Sequence, residues 1–235
     1  RRTASMRSCI IPSLKRYNKR RSMDTAFHKI DLETWERREE YEYFSRGGCG
    51  FTVTAELDIT HLRRYAKAHG AKLYPMLVAV AAQAVNAHRE FRYGWSEENE
   101  FGYYETMHPL FFDVMESGNV KCLVAEYVPD ALRQVEEIER VRAQYANVNK
   151  YAPQGAFPQN SVNISAVPWI KTTGISFCLQ YCATFYPPIL TFGKFEERDE
   201  KTIIPLSAYC NHAVNDGYHC AMLFQEFQQR ADGLK

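Results

Sequence analysis

The 235-residue sequence predicts a mixed, largely antiparallel α/β (α+β) sandwich with helices packed on one face. Three observations lead there. Many short stretches alternate apolar and polar residues with period two, as half-buried strands do. Helical segments are interspersed among them without the regular βαβ rhythm of a parallel sheet. One segment, Tyr74 to Asn86, is apolar nearly all round and reads as a buried core helix.

The elements follow in order. Leu32 to Phe44 reads as a charged helix with an aromatic edge: Thr34 is placed to cap it, and Trp35, Arg38 and Glu42 fall at helical spacing. Gly47-Gly48 ends it. Phe51 to Leu57 alternates as a strand. Asp58-Ile-Thr60 opens a second helix that ends near Gly70. The buried helix follows, with Pro75 in its first turn. Strands are expected at Phe91–Trp95, Phe101–Tyr104, Leu110–Met115 and Val120–Tyr127. Pro129-Asp130 starts a long helix to about Tyr145, and Asn147 to Asn160 is a loop. Further strands are expected at Val162–Val167, Ile175–Thr184 and Ile189–Phe195. A hairpin over Glu196 to Glu200 leads into the strand Thr202 to Ala208. The last helix, Gly217 to Gln229, has Tyr218, Met222, Leu223 and Phe227 as its apolar face.

The net charge of +1 hides an asymmetry. Residues 1–22 carry eight basic residues and no acidic one, so the remainder holds 21 basic against 28 acidic. An acidic body gives no reason to expect nucleic acid as a partner. Residues 1–22 read as a disordered leader or as sequence outside the domain, and 23–235 as a single domain. Seven cysteines, an odd number without a Cys-x-x-Cys pair, argue against a disulfide framework and a structural metal site. They read as free, mostly buried thiols of a reducing, cytoplasmic environment, with Cys178 and Cys182 as small core residues. No apolar run is long enough to span a membrane.

The segment Tyr209-Cys-Asn-His-Ala-Val-Asn-Asp-Gly-Tyr-His219 joins the last strand to the last helix. It places His212 at the end of a sheet and Asp216 at a helix N-terminus. His-x-x-x-Asp-Gly between a strand and a helix is an acyltransferase signature. Several other segments agree with it: Trp35-Glu-Arg-Arg-Glu39, Cys49-Gly-Phe51, Leu73-Tyr-Pro75 with Ala82-Gln-Ala-Val-Asn86, Asn163-Ile-Ser-Ala-Val-Pro-Trp169, Leu190-Thr-Phe-Gly-Lys194 and Pro205-Leu206. In order and spacing, from about Phe27 to Gln229, the chain resembles the chloramphenicol acetyltransferases, a trimeric family that moves acetyl from acetyl-CoA to a hydroxyl.

The resemblance implies a CoA-dependent acyltransferase fold, acetyl-CoA as co-substrate with no permanently bound cofactor or metal, and a homotrimer with active sites between subunits. It implies His212 as general base, Ser165 as donor to the oxyanion, and Thr191 as a water-mediated contact of the tetrahedral intermediate. Arg37 and Asp216 become a structural ion pair beneath the histidine, and Lys194 a cofactor contact. Phe44, Cys49, Phe51 and Phe177 fall to the acceptor pocket. The chemistry suits these types. A neutral imidazole takes a hydroxyl proton near pH 7, and a serine hydroxyl can meet the oxygen that becomes negative.

The chain departs from the family pattern His-His-Ala-Val-Cys-Asp-Gly at Asn211 and Asn215. Phe44 stands where the family has a tyrosine, and segments 111–115 and 175–179 differ from the usual pocket text. Two other readings stay open: an acetyltransferase of the same fold with a different hydroxyl acceptor, and a non-catalytic trimeric binding protein. The acyltransferase core of 2-oxo acid dehydrogenase complexes shares the histidine signature. It has Asp-His-Arg where this chain has Asn-His-Ala.

Overall fold

The computed structural model describes residues 26–180 and 182–235. The expected basic leader lies outside the described residues. In chain order the elements are β1 (Phe27–Lys29), α1 (Arg38–Gly47), β2 (Gly50–Asp58), α2 (Thr60–Ala68), α3 (Leu73–Ala87), β3 (Tyr93–Trp95), β4 (Phe101–Tyr104), β5 (His108–Val114) and β6 (Val120–Val124). Then come α4 (Ala131–Gln144), β7 (Ser161–Ala166), β8 (Ile189–Phe192), β9 (Glu196–Arg198), β10 (Lys201–Asn211) and α5 (Gly217–Asp232).

The main sheet runs β2-β10-β8-β7-β5-β6, with β9 paired to β10 as the expected hairpin. Two neighbouring pairs, β5/β7 and β7/β8, are parallel, and the others are antiparallel. A smaller antiparallel sheet, β1-β4-β3, stands apart.

Alternation decides which face of the main sheet is covered. Ile204, Leu206, Ala208 and Cys210 of β10, Val162 and Ile164 of β7, and Leu190 and Phe192 of β8 join one core with α2, α3, α4 and α5. The centre of that core is α3, where every residue from Pro75 to Val85 is buried. Its few polar groups bond backbone that would otherwise be unpaired. Tyr74 donates to the Ile164 carbonyl and accepts the Phe112 N–H, which ties the helix to β7 and β5. Gln83 donates to Pro129 O, and Asn86 donates to Met107 O while accepting its N–H. Buried polar groups need such partners.

Four expectations are corrected. The first helix begins at Arg38, not Leu32: Trp35 is buried in a separate aromatic cluster, and the Thr34 hydroxyl bonds back to Asp31 instead of capping. Phe91 closes a short 3₁₀ turn, Arg89–Phe91, and β3 starts only at Tyr93. Residues 175–180 and 182–184 form no strand: Ile175 bonds the Ser207 hydroxyl on the other face of β10, and Cys182–Thr184 is a 3₁₀ turn. Finally, α5 buries Cys220, Leu223, Phe224, Phe227 and Ala231, while Tyr218 in its first turn is 73% exposed. The thiols also divide. Cys122, Cys210 and Cys220 are buried, but Cys178 is exposed and Cys182 only half-buried, so neither is a core residue.

Candidate active site

His212 follows the last residue of β10, and the turn that holds it is closely bonded. Its backbone N–H donates to Cys49 O at 2.8 Å, and the Val214 and Asn215 N–H groups donate back to Asn211 O. The imidazole lies parallel to the Phe44 ring of α1, with centroids 3.9 Å apart and planes within 7°. Phe51 of β2 closes a second side at 5.0 Å. Nδ1 is buried and has no partner among the described residues. Three of the acceptor-pocket candidates, Phe44, Cys49 and Phe51, therefore surround His212.

Asp216 caps α5. Its carboxylate accepts Tyr218 N–H at 3.0 Å, and His219 Nδ1 accepts the Asp216 N–H at 3.1 Å, completing a capping box. Arg37, at the start of α1, donates Nη1–H to the same carboxylate at 3.0 Å. Its Nη2 donates to His212 O at 3.4 Å. Burial pushes the Asp216 carboxyl up, but the hydrogen bond and charge of Arg37, together with His219, hold the group below its usual range. His219 Nδ1, accepting an amide N–H, carries no proton toward the carboxylate, so Arg37 is its principal partner. The two residues are 179 positions apart in sequence.

Ser165 and Thr191 lie elsewhere, on the sheet face turned away from the helices. They are cross-strand neighbours on β7 and β8, with hydroxyls 2.8 Å apart. Thr191 is 2% exposed, so its direct contact is Ser165 itself. The row continues: Thr191 pairs with Ser207 on β10, and Ser207 with Thr54 on β2, whose hydroxyls are also 2.8 Å apart. Four hydroxyl residues thus cross four strands in one line. Ser207 also accepts the Ile175 N–H at 3.2 Å, which anchors the extended 175–180 segment. That segment carries Phe177, whose ring packs on Tyr209, not on His212. Lys194 is exposed just beyond β8.

Sequence reading did not single out Ser207, Thr54 or Tyr209. The Tyr209 hydroxyl is buried without a partner among the described residues and lies against Gly50, where any Cβ would collide with it. Pairing of strands distant in sequence creates both features, so no local motif marks them. Among the described residues no group of three His, Cys, Asp or Glu side chains is placed to hold a metal, and no helix is long and apolar enough to cross a membrane.

A histidine at a sheet end, with a serine–threonine pair across β7 and β8 of the same sheet, sits on a fold shared with CoA-dependent acyltransferases. A solved chloramphenicol acetyltransferase superimposes with a TM-score of 0.75 at 22% identity, over 89% of this chain and all of the other. The dihydrolipoamide acetyltransferase of Azotobacter vinelandii superimposes at 0.64 with 16% identity, over 83% of this chain and 86% of its own. The family is settled by sequence. The family model for chloramphenicol acetyltransferase matches residues 25–228. The chloramphenicol acetyltransferase of Clostridium perfringens is 34% identical over 213 residues, which is 89% of this chain and 96% of that one. The chain belongs to the chloramphenicol acetyltransferase family.

Proposed function

We propose that this protein transfers acetyl from acetyl-CoA to a hydroxyl of chloramphenicol, with His212 as base and Ser165 as oxyanion donor, in sites shared between copies of the chain. The observation that carries the shared site is the register of the sheet. Ser165, Thr191 and Ser207 stand in one row across β7, β8 and β10. His212 lies five residues beyond Ser207, about 17 Å along the strand at ~3.3 Å per residue, and two strands or about 10 Å sideways. By ideal strand spacing the Cα atoms of His212 and Ser165 in one chain are about 20 Å apart. A base and an oxyanion donor serving one reacting centre must each be within hydrogen-bond reach of it. A His212 from one copy facing a Ser165 from its neighbour meets that demand, as a closed ring such as a trimer allows. Trp169 and Ile170, just past β7, are 66% and 60% exposed and supply apolar surface for the contact.

The steps follow from the residues. With Nδ1 buried, Nε2 is the nitrogen an acceptor can reach. Neutral Nε2 takes the acceptor's hydroxyl proton as the oxygen attacks the thioester carbonyl. The oxyanion of the tetrahedral intermediate receives the Ser165 proton as a hydrogen bond. Thr191 can donate to Ser165 Oγ, and the contact from Ser165 to Leu190 O is a long 3.5 Å, so the serine proton is available. The intermediate then collapses, the C–S bond breaks, and the imidazolium returns its proton to the departing CoA thiolate. No covalent acetyl-enzyme is needed. The ion pair of Arg37 and Asp216 holds the turn that carries the base, and Lys194 is a point of attachment for the cofactor.

The test is release of CoA thiol from acetyl-CoA with chloramphenicol as acceptor, followed by a panel of other hydroxyl compounds. The expected result is chloramphenicol-dependent release that falls by at least ~10²-fold in His212→Ala. Unchanged turnover in that variant would place the base elsewhere. Release with another acceptor alone would identify a different substrate for the same site.

A further inference from the structure

The residue before His212 is buried and fully engaged. Asn211 closes β10 and is 1% exposed. Its amide nitrogen donates to two carbonyls of the adjoining turn, Cys182 O and, at 3.1 Å, Phe185 O. Its amide oxygen accepts the Ala213 N–H at 2.9 Å. One side chain thus grips the backbone on the far side of His212 and a separate loop as well.

The contacts close into a circuit. His212 N–H donates to Cys49 O. The preceding residue, Gly48, accepts the Cys182 thiol at 3.2 Å. Gly48 has φ 64° and no space for a Cβ, which would lie 2.8 Å from the Cys182 sulfur. The Cys182 carbonyl then returns to Asn211. The same turn reaches the aromatic wall. Tyr186 donates to Ala183 O at 3.2 Å, and its hydroxyl is 3.1 Å from that of Tyr41. Tyr41 is three residues from Phe44 on α1, the ring that covers His212.

We propose that Asn211 is a positioning residue for acetyl transfer: its carboxamide fixes the His212 backbone and couples it to the turn that sets the stacked Phe44. The inference rests on His212 being the base. A short side chain with two donated hydrogens and one acceptor is required, and asparagine supplies all three. Aspartate keeps the acceptor and loses both donors, and alanine loses everything. The unpaired carbonyls are then buried, which is costly enough to make the turn shift. A shift of about 1 Å at a reacting group costs on the order of 10²-fold in rate. The titratable groups around the turn are the paired Arg37 and Asp216 with His219, the thiols of Cys49 and Cys182, and the hydroxyls of Tyr209, Tyr41 and Tyr186.

The experiment compares Asn211→Ala and Asn211→Asp with the parent chain. It reads kcat and both KM values by thiol release with acetyl-CoA and chloramphenicol, thermal unfolding, and the imidazole titration of His212 by NMR. The His212 signal is the one missing from His212→Ala. Asn211→Ala should lose ~10- to 100-fold in kcat with both KM values little changed. Asn211→Asp should also lose rate. Its new carboxylate favours imidazolium, so the His212 pKa rises and the acid limb of kcat/KM moves to higher pH. The outcomes that overturn the proposal are an Asn211→Asp variant with parental kcat and parental His212 titration, or an Asn211→Ala variant that loses only thermal stability. If alanine prevents folding, the near-isosteric aspartate variant decides. If the parent transfers no acetyl to chloramphenicol or to any hydroxyl compound of the panel, the reading of His212 as base fails. The NMR titration then still reports whether Asn211 sets the environment of that imidazole.

Discussion

Removing the Asp216 carboxylate perturbs two interactions whose costs can be separated. The first is the cap on Tyr218 N–H, whose loss costs about 1 kcal/mol. The second is the pair with Arg37. Removing one partner of a fully buried pair costs about 3–5 kcal/mol. Here the Arg37 side chain is 14% exposed but that of Asp216 is 36% exposed. Water screens the pair, and its share falls to about 1–2 kcal/mol. Asp216→Ala should therefore lose about 2–3 kcal/mol in denaturant unfolding near neutral pH. Asp216→Asn keeps an oxygen for the cap and should lose only the pair's share. Combined with Arg37→Ala, the Asp216→Ala loss should fall short of the sum of the single losses by about 1–2 kcal/mol. Because Arg37 also donates to the His212 carbonyl, each single variant should lower kcat. The pair's contribution also has a sign in pH. The folded pKa of Asp216 lies below the unfolded value, so the stabilisation is present above about pH 4 and is lost as pH falls through the folded pKa. Single losses that add to within about 0.3 kcal/mol would refute the reasoning.

Three further outcomes are expected. Ser165→Ala should lose roughly 10²–10³-fold in kcat with KM little changed, and Thr191→Val should lose less; a loss confined to KM would make Ser165 a binding residue. Phe44→Tyr keeps the ring on His212 and adds a hydroxyl at its edge, so KM for chloramphenicol should fall while kcat holds; an unchanged KM would move the acceptor difference to segments 111–115 or 175–179. Burial pushes the His108 imidazole down to about 4, and its Nδ1 accepts the Tyr127 N–H. The folded state then binds fewer protons than the unfolded state, so stability should fall by about 3 kcal/mol as pH drops from about 6.5 to 4. His108→Gln should lack that slope, and parallel curves for variant and parent would contradict a neutral, buried imidazole.

Much of the fold was legible because it depends on local period. The helix α3 has no polar face, and β10 alternates Ile204, Leu206, Ala208 and Cys210 toward the helices. The segment 175–180 shows where period misleads. Ile175, Phe177 and Leu179 are half-buried while Ser176, Cys178 and Gln180 are exposed, so the alternation is real. A strand also needs a ladder partner, and among the described residues this segment bonds a serine hydroxyl instead. The onset of α1 was missed because the burial of Trp35 against Tyr93 and Phe101 is a tertiary contact. For the site, the histidine motif and the Asn163–Trp169 segment stand out in the sequence. The line of Thr54, Ser207, Thr191 and Ser165 does not, since it exists only once four strands are in register. The carboxamide contacts of Asn211 were hidden for the same reason: the turn it grips is 26–29 residues away.

The central claim is that the base of one copy serves the oxyanion donor of another. The direct measurement mixes His212→Ala chains with Ser165→Ala chains, by co-expression or by unfolding and refolding together, and assays thiol release from acetyl-CoA with chloramphenicol. Each parent variant should be nearly inactive alone. In an equal random mixture, half the bases and half the donors are intact, so about one site in four at a cyclic head-to-tail interface regains both. The account predicts about a quarter of the unmutated activity. Activity no greater than that of the two inactive parents would contradict it.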